Sequence, residues 1–124
     1  MNLTKKRIKW LDKPEEHDYD AACDYLSLIT ENAKDIAEGL KNADMSSFKA
    51  KDIFRASTLS LLGISNSHIQ KNIRKLKKGK KLSPILLVRD DVNKKVIVAD
   101  GYHRLCTVYM LDEDAKIPCK IVGI

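Results

Sequence analysis

Ile85-Leu86-Leu87-Val88 and Val96-Ile97-Val98-Ala99-Asp100-Gly101-Tyr102-His103-Arg104 are the stretches whose reading decides how this chain folds. Each opens on a short aliphatic run rich in β-branched residues, the composition that suits a pleated and buried surface. The polar segment from Arg89 to Lys95 joins them as a strand pair. After Asp100 the period changes: Leu105, Val108, Tyr109 and Leu111 give a helical face, closed by Asp112-Glu113-Asp114. Ile117-Pro118-Cys119-Lys120-Ile121-Val122 reads as a last strand, with Pro118 near its start, where a missing N–H does least harm.

Upstream of this strand–strand–helix–strand unit the pattern is helical. Ala22, Tyr25, Leu26 and Ile29 fall on one helix face, with Asp18 or Asp20 placed to cap its first turn. Ala33, Ile36, Ala37 and Leu40 give a second face. Ile69, Ile73 and Leu76 give another, which Ser65 or Ser67 can cap and Gly79 can stop. Leu3 to Tyr19 shows no clean period and reads as an arm lying on the domain, pinned by Trp10. Ser46 to Ser65 is apolar at Phe48, Ile53, Leu59, Leu61 and Leu62 but keeps neither period for long, and Gly63 and Asn66 punctuate its end. The expectation is a single α/β (α+β) domain over 1–124, with N-terminal helices packed on a small mixed sheet.

The chain has 124 residues, 44% of them apolar, which suits one domain with a buried core. No apolar run reaches the length of a membrane span. The basic start Met1 to Arg7 has no apolar stretch behind it, which argues against a secretory signal. Cys23, Cys106 and Cys119 lack CxxC spacing and read as thiols in a reducing, cytoplasmic setting. The net charge of +6 is unevenly spread. Residues 1–48 hold seven Lys and Arg against ten Asp and Glu, 49–95 hold thirteen against three, and 96–124 hold three against four. A local basic excess of this kind points to an anionic partner.

The candidate site is Asp100 to Arg104. Gly101 permits a tight turn and close approach to the backbone. The following N–H groups open a helix, so they are unpaired and carry the positive end of the aligned peptide dipoles. Arg104 adds a planar, permanently charged fork suited to phosphate oxygens. Together these make an anion site, with Gly101, Tyr102, His103 and Arg104 as phosphate-binding residues. The same residues also have plain structural readings. His103 can cap the helix, Arg104 can pair with Asp100 or with Asp112–Asp114, Tyr102 can be a core aromatic, and Asp100 can cap the turn. His17 and His68 read as isolated surface histidines, and no set of metal ligands is visible.

Residues 82–122, from Leu-Ser-Pro-Ile-Leu-Leu-Val through Ala-Asp-Gly-Tyr-His-Arg-Leu-Cys to Ile-Pro-Cys-Lys-Ile-Val, resemble the ParB/sulfiredoxin superfamily, including small bacterial ParB-like proteins. The resemblance implies that 46–124 is the superfamily core and 1–45 a helical extension. ParB proteins carry an acidic residue and two arginines after the glycine and bind a nucleotide; only Arg104 matches here. Sulfiredoxins carry Gly-Cys-His-Arg, and Tyr102 stands where their nucleophilic cysteine would be. The free serine kinases of archaea carry Asp-Gly-His-His-Arg, which Asp100, Gly101, His103 and Arg104 match. The implied activity is phosphoryl transfer to a small molecule with ATP or ADP and magnesium. Asp100 would orient a hydroxyl or the metal, and His103 and Arg104 would hold phosphate. Asp52 and Glu16 are candidates for the carboxylate base.

Lys71, Arg74, Lys75, Lys77, Lys78 and Lys81, together with Lys80, form a second candidate. The run from Lys71 to Lys81 has seven Lys and Arg in eleven positions. It reads either as a solvated helix face or as a contact for the backbone of a nucleic acid, which would make the chain a non-catalytic regulatory module.

Overall fold

Ile85 to Val88 are all buried, because both faces of their strand are covered. The computed structural model describes residues 8–60 and 66–124. Its elements in chain order are helix α1 (Glu16–Leu26), helix α2 (Ala33–Asn42), strand β1 (Ser46–Lys49), helix α3 (Ala50–Ser57), helix α4 (Ser67–Lys77), strands β2 (Ile85–Asp90) and β3 (Lys95–Asp100), helix α5 (Tyr102–Leu111) and strand β4 (Lys116–Gly123). The four strands form one mixed sheet in the order β1-β4-β2-β3. β4 runs parallel to β2 and antiparallel to β1. Pro118 precedes the register with β2, which begins where Ile85 meets Cys119.

Side chains alternate across the strands and so feed two cores. Ile85, Leu87, Val98, Ile117 and Cys119 pack with Ile53, Leu76, Leu105 and Val108. Leu86, Val88 and Ala99 pack with Tyr19, Ala22, Leu26, Ile36 and Leu40 on the opposite face. The sheet is thus a middle layer, with α1 and α2 on one side and the other helices on the second.

The expected helices form, with altered ends. α1 starts before Asp20, and Asp18 reaches back from its first turn to accept the Glu15 N–H at 3.1 Å. Its buried residues are Asp18, Tyr19, Ala22 and Leu26; the chain turns away after Leu26 and leaves Ile29 exposed. Asn66, and not a serine, caps α4: its side-chain oxygen accepts the N–H groups of His68 at 2.9 Å and Ile69 at 3.4 Å. Ser65 and Gly63 lie outside the described residues. Gly79 ends α4 at φ +74°, with its N–H bonded to Leu76 and the Lys80 N–H to Lys75. The arm is held by backbone, as the Leu82 N–H donates to Lys9 and the Leu11 N–H to Leu82, each at 2.8 Å.

The aperiodic stretch after Ser46 is a strand that passes directly into a helix. β1 pairs with β4 from Ser46↔Cys119 to Lys49↔Lys116. At the start of α3, Ala50 and Lys51 donate their N–H groups to the carbonyls of Ala115 and Glu113, each at 2.9 Å. Neighbouring backbone therefore supplies the partners that a capping side chain would otherwise provide.

Candidate anion-binding cleft

The site begins with an irregularity in β3. Leu86 lies opposite Asp100 while Leu87 lies opposite Val98, so β3 carries one extra residue there. Ala99 packs into the α1–α2 core, and the next side chain, Asp100, stands beside Asp18 of α1. The bulge thus sends two successive side chains toward α1. Gly101 follows at φ +105° as the residue before α5.

α4 and α5 run side by side in the same direction. His68 lies against His103, and one turn further Asn72 donates to the Thr107 hydroxyl at 3.4 Å. The Thr107 hydroxyl in turn donates to the His103 carbonyl at 2.8 Å. This register brings the first turns of both helices to the same place. Between them is a polar cleft of about 170 Å³, lined by His68, Lys71, Asn72 and Lys75 from α4 and by Asp100 to Arg104.

All five residues of the strand-to-helix motif therefore line one cleft, together with two members of the basic run. Arg74, Lys77, Lys78 and Lys81 are exposed but outside the lining. Arg104 pairs with Asp100 at 2.8 Å, and not with Asp112–Asp114. Its Nε is buried and has no hydrogen-bond partner among the described residues. The imidazoles of His68 and His103 have centroids 4.4 Å apart. The Tyr102 hydroxyl donates to the Ser60 carbonyl, while its ring packs on the core.

Burial raises the Asp100 pKa, with Asp18 adding to the effect and Arg104 opposing it. Burial, then His68 and then Arg104 lower the His103 pKa from 6.5, which leaves that ring neutral at pH 7 and able to take up a proton. Burial chiefly, and Cys106 next, raise that of Tyr102. Cys106 is fully buried.

Sequence patterns assigned no site role to His68, Asn72 or Asp18. His68 read as an isolated surface residue, and Asp18 as a helix cap, which it also is. Neither proposed base lines the cleft: Glu16 pairs with Lys41 at 3.0 Å, and Asp52 pairs with Arg55 at 3.2 Å beside a separate cleft near Phe48. Asp100 to His103 also line a second, more apolar cleft of about 380 Å³ with Ala21, Tyr25, Leu59, Val98 and Ala99. Compared with protein-family models, curated proteins and solved structures, the chain matches none.

Proposed function

We propose that the cleft at Asp100 to Arg104 binds the phosphate group of a nucleotide or of a phosphorylated small molecule, as the ParB/sulfiredoxin resemblance suggests. The observation that carries this reading is the convergence of Lys71, Lys75, His68, His103 and Arg104 with two helix starts around one cleft. Asp100 is the one carboxylate in the lining, and Arg104 already offsets it. Unpaired N–H groups at the start of α5, a positive dipole end and flexible ammonium groups all favour a multiply charged anion. At about 170 Å³ the polar cleft suits a phosphate head group, being smaller than the roughly 300 Å³ at which drug-sized ligand pockets begin. The apolar cleft across the Gly101 turn is available for an organic moiety.

Phosphoryl transfer to a small molecule is the enzymatic form of this reading. It would use ATP with magnesium, and positioning with charge neutralisation would do most of the work. Neutral His103 would accept a proton, and Asp18 stands behind Asp100 without lining the cleft. Calorimetry with ATP, ADP and CTP in magnesium tests the binding. Heat of binding that Arg104→Ala reduces at least tenfold is expected; no heat with any of the three nucleotides sinks the proposal.

A second reading rests on a different observation. Lys71, Arg74, Lys75, Lys77, Lys78, Lys80 and Lys81 are all exposed, and none forms an ion pair with a described residue. Such a stripe suits the phosphate backbone of a nucleic acid without sequence choice. Retention on duplex DNA should then weaken steeply with salt, by a slope of about 0.9 per neutralised phosphate.

A further inference from the structure

We propose that His68 and His103 act as one proton-linked pair that selects a phosphomonoester dianion over a phosphodiester. This inference rests on the anion-binding reading and adds to it the class of phosphate bound. Its basis is the placement of two imidazoles, 4.4 Å between centroids, in a cleft that already carries Lys71, Lys75 and Arg104.

The groups facing the pair come from every element around it. α4 contributes Lys71 and Lys75, the end of β3 contributes Asp100, and α5 contributes Tyr102, Arg104 and, behind Tyr102, Cys106. From α1, Asp18 stands behind Asp100, and Tyr25 lines the neighbouring apolar cleft. Positive charge thus outweighs negative charge around the rings. A proton on His103 is disfavoured by burial, by His68 and by Arg104.

An anion in the cleft reverses that balance, because each negative charge favours the protonated imidazole. A phosphomonoester carries about −1.5 to −2 charges near pH 7, since its second pKa lies near 6. A diester carries one negative charge and offers less compensation. The dianion should therefore take up a proton as it binds, and by linkage its affinity should rise as pH falls. The diester, as found in a nucleic acid backbone, should bind more weakly and with little proton uptake. His68 is then a specificity-determining residue supplied by α4.

The test uses the whole chain and three probes: sulfate, a dianion that does not titrate between pH 6 and 8; phenyl phosphate, a monoester; and dimethyl phosphate, a diester. Calorimetry in buffers of different ionisation heat counts the protons taken up, and the imidazole proton resonances locate them. The expected result for sulfate and phenyl phosphate is uptake of close to one proton near pH 7, with His68 and His103 resonances shifting together. Sulfate affinity should rise by about tenfold per unit fall in pH where a full proton is taken up. His68→Asn, an exposed replacement that leaves the α4 core face intact, should abolish the uptake, as should His103→Asn. Dimethyl phosphate should bind at least tenfold more weakly. Sulfate binding without proton uptake, uptake that survives in His68→Asn, or equal affinity for dimethyl phosphate overturns the pair and leaves the phosphate reading standing. No perturbation by any probe overturns both.

Discussion

Gly101 lies directly against Ile85. A Cβ built on Gly101 would stand 2.3 Å from Ile85 Cγ2, 2.8 Å from its Cβ and 3.0 Å from Arg104 Nη2. Ile85 is fully buried in β2, so it has no free space to retreat into. The glycine is therefore required twice, once by its positive φ and once by this contact, and it sets the distance between the β3 end and the Arg104 fork.

Gly101→Ala should destabilise the fold by about 3 kcal/mol, from a left-handed backbone penalty of roughly 1–2 kcal/mol and an overpacking cost of similar size. Chemical denaturation measures this directly. Adding Ile85→Ala should recover the steric part, so that the double variant loses less than the two single losses added together. Strict additivity would show that the contact carries no strain.

Asp100 should cost stability at neutral pH. Its folded pKa is raised above 3.8, so its favourable contribution is complete below that value and is lost as pH rises through the folded value. Asp100→Asn should therefore raise the melting temperature at pH 7, with the gain disappearing toward pH 3. A variant less stable than the parent at pH 7 would contradict this sign. A carboxylate kept at a cost in stability is the pattern expected of a functional residue.

Two charge reversals separate the two readings of the basic helix. Lys71→Glu with Lys75→Glu alters the cleft, whereas Lys77→Glu with Lys78→Glu alters only the exposed face beyond it. If the cleft binds phosphate, the first pair should weaken calorimetric ATP binding by at least tenfold, and the second by less than about threefold. Equal loss of DNA retention from both pairs, with no effect on ATP, would favour the nucleic-acid reading.

Lys94 closes the β2–β3 turn at φ +56°. Lys94→Gly should stabilise the hairpin by up to about 1 kcal/mol, since the backbone penalty removed exceeds the entropy glycine adds to the unfolded chain. The exposed Lys94–Asp91 pair, at 3.5 Å, offers little to lose. Thermal melts of the two proteins decide it.

The β2–β3 hairpin, the helix after Gly101, the last strand and the Gly79 stop were legible because each is specified by neighbours in sequence. β1 and α3 were not, because β1 has only four residues, all exposed, and α3 takes its first partners from Ala115 and Glu113, more than sixty residues away. The same distinction applies to the cleft. Asp100 to Arg104 form a local motif and could be read as one. His68 joins them only through the register of two helices 35 residues apart, and Asp18 only through the extra residue in β3. The expected layout, helices packed on a small mixed sheet, is the one found, and the unbroken aliphatic run Ile85 to Val88 goes with helices on both faces.

The sheet order has a consequence for synthesis. β4 follows every other element in the chain, yet it lies between β1 and β2. A ribosome therefore releases β1, α3 and the β2–β3 hairpin well before the strand that joins them. Until residues 113–115 emerge, the N-terminal residues of α3 lack their acceptors at Glu113 and Ala115, and until residues 116–119 follow, β1 lacks the partner strand β4. The sheet is consequently completed only when β4 emerges, and nascent chains that stop before β4 should present two unpaired edges to chaperones and proteases.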